Sequence, residues 1–229
     1  MKTEENILII GAGLCGSLLA LRLGQRGYNV RVMERRSDLR KEDIRAGRSI
    51  NLALSNRGIN ALKMVGLENK VKSLCIPMHG RMLHDKSGNT KLSKYSGRDG
   101  EYINSISREL LTALLIDEAE ALENVSFEFH QKCDAVDFEN NIARFKNSKN
   151  GTVLDCAANR IFGTDGAGSI LRKSYLSKGK FLFSFSQNFL THGYKELTIP
   201  ATKVGGYKTE KNALHIWPRG DYMIIALPN

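Results

Sequence analysis

No run of apolar residues in this chain is long enough to span a membrane. The first apolar run, Ile7–Ile10, comes early in the chain, so a secretory leader ahead of it is not expected. Cysteine is sparse: Cys15, Cys75, Cys133 and Cys156 make no CxxC pair and no Cys/His cluster. That speaks against a zinc site or a disulfide scaffold, so no metal is expected. It fits a reducing cytoplasm, in which each thiol serves as a small buried hydrophobe. A net charge of +10 raises the question of nucleic acid. The Lys and Arg are interspersed with Asp and Glu, however, and form no basic block or aromatic–basic ladder. The expectation is a solvated surface with local attraction for anionic ligands, and no nucleic-acid partner. Internal repeats and low-complexity segments are also absent.

What is present is globular. The chain has 229 residues, 41% hydrophobic and 25% charged, enough for one large domain or one domain and part of a second. Residues 6–36 read as a βαβ unit: "NILII", then leucines at near-helical spacing (Leu14, Leu18, Leu19, Leu21 and Leu23), then "NVRVMER" as a second strand. "GINALKMVG" and "LENKVKSL" read as short helices. "GRMLHDKSGNTKLSKY" reads as a hairpin turning at Gly88–Asn89. "SRELLTALLIDEAEAL" reads as a helix with Ser107 as its N-cap. "VSFEF", "CDAVDFE", "IARFKN" and "TVLDC" read as successive strands, with a turn at "NSKNG". "NRIFGTDGAGSILRKSYL" is a second strand–turn–helix. Beyond residue 180 four aromatic-rich strands are expected: "FLFSFSQNF", "GYKELTIP", "NALHIWP" and "DYMIIALP".

Gly11, Gly13 and Gly16 stand in G-x-G-x-x-G spacing between the first strand and its helix, and Glu34 ends the second strand. Each glycine has a mechanical task. Gly11 makes the tight turn, Gly13 lets a pyrophosphate approach the backbone, and Gly16 lets helix and strand pack closely. The helix N-terminus offers free N–H groups to phosphates, and Glu34 is placed to accept both ribose hydroxyls of an adenosine. An acid there disfavours a 2′-phosphate. The pattern predicts a dinucleotide without choosing between NAD and FAD.

"RIFGTDGAGSILR" adds an Asp–Gly turn, Asp165–Gly166, at a strand end, followed by Ser169 and Arg172. The glycine turn, "SRELL" and D-G-x-x-S-x-L-R together resemble the class A flavoprotein monooxygenases of the para-hydroxybenzoate hydroxylase type. Within them, "GRSINLALSNRG", "GLENKV", "IPMHGRMLHD", "SISRELL", "HGYKELTIP" and "LHIWPRGDYMIIALPN" resemble the kynurenine 3-monooxygenases over nearly the whole chain. The implied fold is α/β. A Rossmann-like FAD-binding domain would cover residues 1–179, interleaved with a substrate-side hairpin near 79–106, and part of a β-rich substrate domain would cover 180–229.

The same resemblance implies roles. "GRSINLALSNRG", too apolar for a surface loop and too polar for a core strand, would lie beside the flavin, with Arg48 supplying charge and Leu52, Ala53 and Leu54 facing the ring. Cys15 would offer backbone to the pyrophosphate. Glu34, Arg35 and Arg36 would hold the adenosine end, and the backbone of Cys133 would lie near the adenine. Arg108 would reach the pyrophosphate or the flavin, and Asp165 the ribityl and pyrophosphate region. Arg81 and Tyr95 would take the carboxylate of an aromatic amino acid, Arg as a forked donor. His84, His192 and His215 read as structural. No side chain is expected to be catalytic, since the cofactor does the difficult step. The implied reaction converts L-kynurenine to 3-hydroxykynurenine with bound FAD, transient NADPH and O2. Members of the family continue past this chain's last residue, with a second Gly–Asp motif and further substrate contacts. The chain therefore reads as a truncated portion, expected to bind FAD weakly and turn over little. The alternatives are a related flavoprotein acting on another aromatic acid and a non-catalytic dinucleotide-binding module.

Overall fold

The computed structural model describes residues 5–41, 50–98, 100–177, 182 and 184–229. In chain order it contains β1 (Asn6–Ile10), α1 (Leu14–Gln25), β2 (Asn29–Met33), β3 (Asn51–Leu54), α2 (Asn56–Lys63), α3 (Glu68–Lys72) and β4 (Ile76–Met78). Next come β5 (Gly80–His84), β6 (Thr90–Lys94), β7 (Ile103–Ser107), α4 (Arg108–Glu120), β8 (Val125–Glu128), β9 (Gln131–Asp137) and β10 (Ile142–Asn147). The last are β11 (Val153–Ala157), β12 (Arg160–Gly163), α5 (Ile170–Ser177), β13 (Ala213–Pro218) and β14 (Met223–Ala226). Two compact units result: Met1–Ile44 with Thr112–Tyr194, and Arg45–Leu111 with Lys195–Asn229.

The first unit holds a parallel sheet in the order β12-β1-β2-β8. Four of the five side chains of β1 are buried, as its unbroken β-branched and leucine run requires. The helix that follows differs from its sequence reading. Its buried face is Gly16, Ser17, Ala20, Leu21 and Gly24, while Leu14, Leu18, Leu19 and Leu23 are only half-buried. Close approach explains the difference. A Cβ on Gly16 would run into the Gly11 carbonyl oxygen, and one on Gly24 into the side chains of Val125 and Leu122. Small residues make most of the contact, and Leu21 is the one leucine fully buried with them.

An antiparallel meander, β11-β10-β9, contributes Cys133, Val136, Ala143, Phe145 and Cys156 to a core shared with Leu8, Ile10 and Met33. Cys133 and Val136 are three apart, which in an unbroken strand would set them on opposite faces. A register shift between Arg144 and Phe145 marks a bulge, and both side chains turn inward. The four strands read in a row from "VSFEF" to "TVLDC" therefore divide: β8 joins β2 in the parallel sheet, and the other three form the meander.

In the second unit, β3-β7-β4 is antiparallel, and β14-β13-β5-β6 is mixed. Strand β4 passes through His79 directly into β5, so one chain segment serves both sheets. The 80–95 hairpin turns where its sequence predicts. Asp85 Oδ1 accepts the N–H groups of Ser87 and Asn89, each at 2.8 Å, and Gly88 takes a left-handed φ of 88°. Ser107 Oγ accepts the N–H of Leu110 at 3.3 Å, which is the expected cap of α4.

Two expected strands are absent among the described residues. Of "FLFSFSQNF" and "GYKELTIP", residues 184–200 form neither strand nor helix, with Phe189 at 86%, Tyr194 at 77% and Leu197 at 72% exposure. Strand propensity without a neighbouring strand leaves every backbone N–H and C=O unpaired, so the pattern alone does not make a strand. No helix among the described residues is long and apolar enough to cross a membrane.

Candidate functional site

At the carboxyl end of β1 the chain turns through Gly11, whose φ of 103° is closed to other residues in practice and whose Cβ would meet the Thr164 carbonyl oxygen at 2.7 Å. Gly13 caps α1 without a side-chain hydrogen bond, and a Cβ there would meet nothing within 4 Å. Gly11 and Gly16 are thus fixed by protein atoms, whereas Gly13 faces open space. That is the pattern expected if the third partner of the turn is a ligand.

Glu34, just past β2, folds back on this turn. Its Oε2 accepts the Ala12 N–H at 2.8 Å and its Oε1 the Arg36 N–H at 3.0 Å. Each oxygen keeps a second lone pair, enough for one hydroxyl apiece. Arg35 and Arg36 are exposed beside it. Arg40, the next basic residue, is committed elsewhere, to Asp38, Asp117 and Glu120 at 2.8, 2.9 and 2.7 Å.

Asp165 stands at the neighbouring strand end, after β12. Its Oδ2 accepts the Ile170 N–H at 2.7 Å and so caps α5, while its buried Oδ1 has no partner. Ser169 Oγ accepts the Arg172 N–H at 3.1 Å on the same turn. A cleft of about 520 Å³ opens here, lined by Cys15, Thr164, Asp165, Gly166, Arg172 and Tyr175 among others. Thr164 escaped the sequence reading. Its hydroxyl bonds the carbonyls of Ile10 and Gly11 at 2.9 and 2.8 Å and ties the two turns together. Its only signal was its place before the Asp–Gly pair. A second hollow, about 410 Å³, lies at the amino ends of the same strands around Asn6, Asn29 and Asn124. Ligands of open parallel sheets bind at the carboxyl ends, which favours the first cleft.

Cys133 lies apart from this cleft. Its side chain is in the core, where burial and then the nearby Asp165 charge push the thiol up to about 12.

In the second unit, Arg81 on β5 and Tyr95 just past β6 come together, the guanidinium carbon lying 5.2 Å from the ring centroid. Both belong to one face of the hairpin, because Arg81 is opposite Ser93 and Tyr95 is two residues on. Ala53 is exposed on β3, opposite Ser105. Arg108 opens α4 with its backbone N–H bonded to Ile50. Arg48 lies outside the described residues. His84, His215 and Trp217 form a stacked group, with His84 Nε2 and His215 Nδ1 2.8 Å apart and His215 Nε2 donating to the Glu210 carbonyl. That agrees with a structural role. His192 is exposed.

A strand, a glycine turn with an empty third side, an acid over it and an orphaned carboxylate oxygen in the adjoining cleft are what a bound dinucleotide requires. Residues 4–181 match the FAD binding domain family. The chain belongs to that family. It is 43% identical over 226 residues to the kynurenine 3-monooxygenase of Myxococcus xanthus (strain DK1622), covering 99% of this chain and 48% of the relative. To the kynurenine 3-monooxygenase of Anopheles gambiae it is 42% identical over 224 residues, covering 98% and 46%. The chain thus spans about half the length of the curated relatives it matches. Among solved structures, a variant of 2-methyl-3-hydroxypyridine-5-carboxylic acid oxygenase superposes with a TM-score of 0.60 at 25% identity, over 76% of this chain and 42% of that one. The p-nitrophenol 4-monooxygenase PnpA of Pseudomonas putida DLL-E4 gives 0.62 at 20%, over 76% and 44%. The fold of this FAD-binding family member is therefore that of the class A flavin hydroxylases.

Proposed function

We propose that this chain carries the FAD-holding part, and the first substrate contacts, of a monooxygenase that converts L-kynurenine to 3-hydroxykynurenine with NADPH and O2. The observation that carries the cofactor half is the open third side of the glycine turn at Gly13, beside the unpartnered Asp165 Oδ1. The substrate half rests on the pairing of Arg81 with Tyr95, in a chain that is 43% identical to a kynurenine 3-monooxygenase.

In this reading the first N–H groups of α1, at Cys15 and its neighbours, hold the pyrophosphate with the positive end of the helix dipole. Glu34 accepts the ribose hydroxyls, Arg35 and Arg36 lend charge at the adenosine end, and the Cys133 backbone borders the adenine. Asp165 Oδ1 accepts a cofactor hydroxyl. Ala53, Arg108 and Arg48 border the flavin side. FAD, when bound there, would supply the redox chemistry of hydroxylation with NADPH and O2 as co-substrates. Arg81 offers two parallel N–H donors to the amino acid's carboxylate and Tyr95 adds its hydroxyl, which orients the substrate by its charged end.

The domain assignment belongs to the same proposal: residues 1–179 hold FAD, with the 79–106 hairpin interleaved, and 180–229 begin the substrate sheet. The compact units cut the chain differently because that hairpin packs with residues 195–229. The test is a flavin-absorbance titration of the chain with and without kynurenine, beside Arg81→Ala. The expected result is FAD binding in both proteins and a kynurenine-dependent spectral change that Arg81→Ala weakens about tenfold or more. Equal responses to kynurenine in the two proteins would remove the substrate assignment.

A further inference from the structure

One peptide group in the glycine turn is held at both ends. The Gly11–Ala12 bond is planar, so its carbonyl oxygen and its N–H point in opposite directions and turn together. At one end Thr164 Oγ1 lies 2.8 Å from the Gly11 carbonyl oxygen. At the other the Ala12 N–H donates to Glu34 Oε2 at 2.8 Å. Gly11, Ala12, Glu34 and Thr164 all belong to the first compact unit, and Thr164 lines its cleft.

The sheet does not need this hydroxyl. Strands β1 and β12 are paired as far as Ile10 and Gly163, and the Thr164 backbone N–H carries the ladder on to the Ile10 carbonyl at 2.9 Å. The hydroxyl also lies 2.9 Å from that carbonyl, but it has a single hydrogen and the Ile10 oxygen is already served. The Gly11 carbonyl is the group that depends on it. Gly16 makes room for the bond, since a Cβ there would stand 2.6 Å from Thr164 Oγ1.

Without its clamps this peptide is free to rotate, because Gly11, at a φ of 103°, has no side chain to resist. Rotation would bring a carbonyl oxygen toward the Glu34 carboxylate and remove the N–H that orients it. The Glu34 backbone is fixed independently: its N–H donates to the Glu128 carbonyl and its own carbonyl accepts the Gln131 N–H, each at 2.8 Å. Only the carboxylate is left to adjust, and it takes its position from the N–H groups of Ala12 and Arg36.

We propose that Thr164 is a positioning residue for the dinucleotide. Through the Gly11–Ala12 peptide its hydroxyl sets both the turn that meets the pyrophosphate and the carboxylate that meets the ribose. This rests on the functional reading above.

The test uses wild type, Thr164→Val and Thr164→Ser, with Thr164→Ala in place of the valine variant should that one fail to fold. Each is titrated by calorimetry with FAD, ADP and 2′-deoxy-ADP, and its urea midpoint is measured alongside. FAD and ADP should each bind about tenfold more weakly to Thr164→Val, while Thr164→Ser, which keeps the hydroxyl, stays within about twofold of wild type. Wild type should prefer ADP to 2′-deoxy-ADP by about tenfold, and Thr164→Val should reduce that preference to about threefold or less. A residue that only held the fold would lower the urea midpoint and leave affinity and preference unchanged. That result overturns the proposal alone, as does a serine variant that binds no better than the valine one. A wild type indifferent to the 2′-hydroxyl removes Glu34 from the ribose and overturns the carboxylate half of the proposal. A wild-type chain that binds neither FAD nor ADP overturns the proposal together with the functional reading.

Discussion

Strands β1 and β6 are each five residues long, yet β1 buries four of its side chains and β6 none. β1 runs inside a parallel sheet with partners on both sides, so its end is fixed in three directions. β6 is an edge strand, with lysines at positions 91 and 94, held by one ladder and the Asp85 turn. The difference separates two ways of placing a functional group. The glycine turn after β1 is set by close packing, so its sterics are part of the fold. Arg81 and Tyr95 are set by a hairpin that leaves them exposed or half-buried, so their chemistry is separable from the fold.

That contrast breaks first, if it is wrong, at Gly16. Gly16→Val should cost the first unit about 3 kcal/mol or more, because the new side chain overlaps the Gly11 carbonyl. Urea unfolding followed by circular dichroism checks it. A shift no larger than that of an exposed-site variant would remove packing as the cause. Arg81→Ala should do the opposite, leaving the urea midpoint within about 0.5 kcal/mol of wild type while kynurenine binding weakens by about tenfold to a hundredfold.

A smaller effect concerns pH. Burial, with help from His215 and Arg219, holds the His84 imidazole below its ordinary 6.5. The folded state therefore binds fewer protons there than the unfolded one. The stability this confers is complete above about 6.5 and is lost as pH falls below it, toward the lowered folded value. The urea midpoint of the second unit should decline between pH 7.5 and 5.5, and His84→Gln should flatten that decline. Smallest is a labelling pattern. Cys15 is exposed and should react with a thiol reagent at once, and Cys75 more slowly. Cys133 and Cys156, buried and held protonated by that burial, should react only on unfolding. Saturating FAD should protect Cys15, as a lining residue of the cleft.

How far the sequence could be read follows the same division. β1, α1, β2 and the 80–95 hairpin were legible because glycine spacing, alternation and turn residues are local signals. The parallel pairing of β13 with β5 was not, since a partner so distant in the chain leaves no local mark. The buried face of α1 was misread for a related reason. Leucine periodicity is visible in sequence, but the close approach that requires glycine at positions 16 and 24 is not. Asp165 was legible as half of an Asp–Gly turn, while Thr164, which joins the two turns, had no pattern of its own. Asn51 stood in plain view within "GRSINLALSNRG", yet its fixed amide emerges only once Leu227 and Pro228 are brought beside it.

The most direct test of the central claim is FAD binding by equilibrium dialysis to wild type and to Gly13→Ser. Serine is a good helix cap and meets open space at this position, so the folded chain should be as stable as wild type or slightly more so. The expected result is one FAD per chain in wild type, weakly held, with affinity reduced about tenfold or more in Gly13→Ser at an unchanged urea midpoint. Equal FAD affinity in the two proteins would contradict the account, since the space beside Gly13 would then not be where the dinucleotide lies.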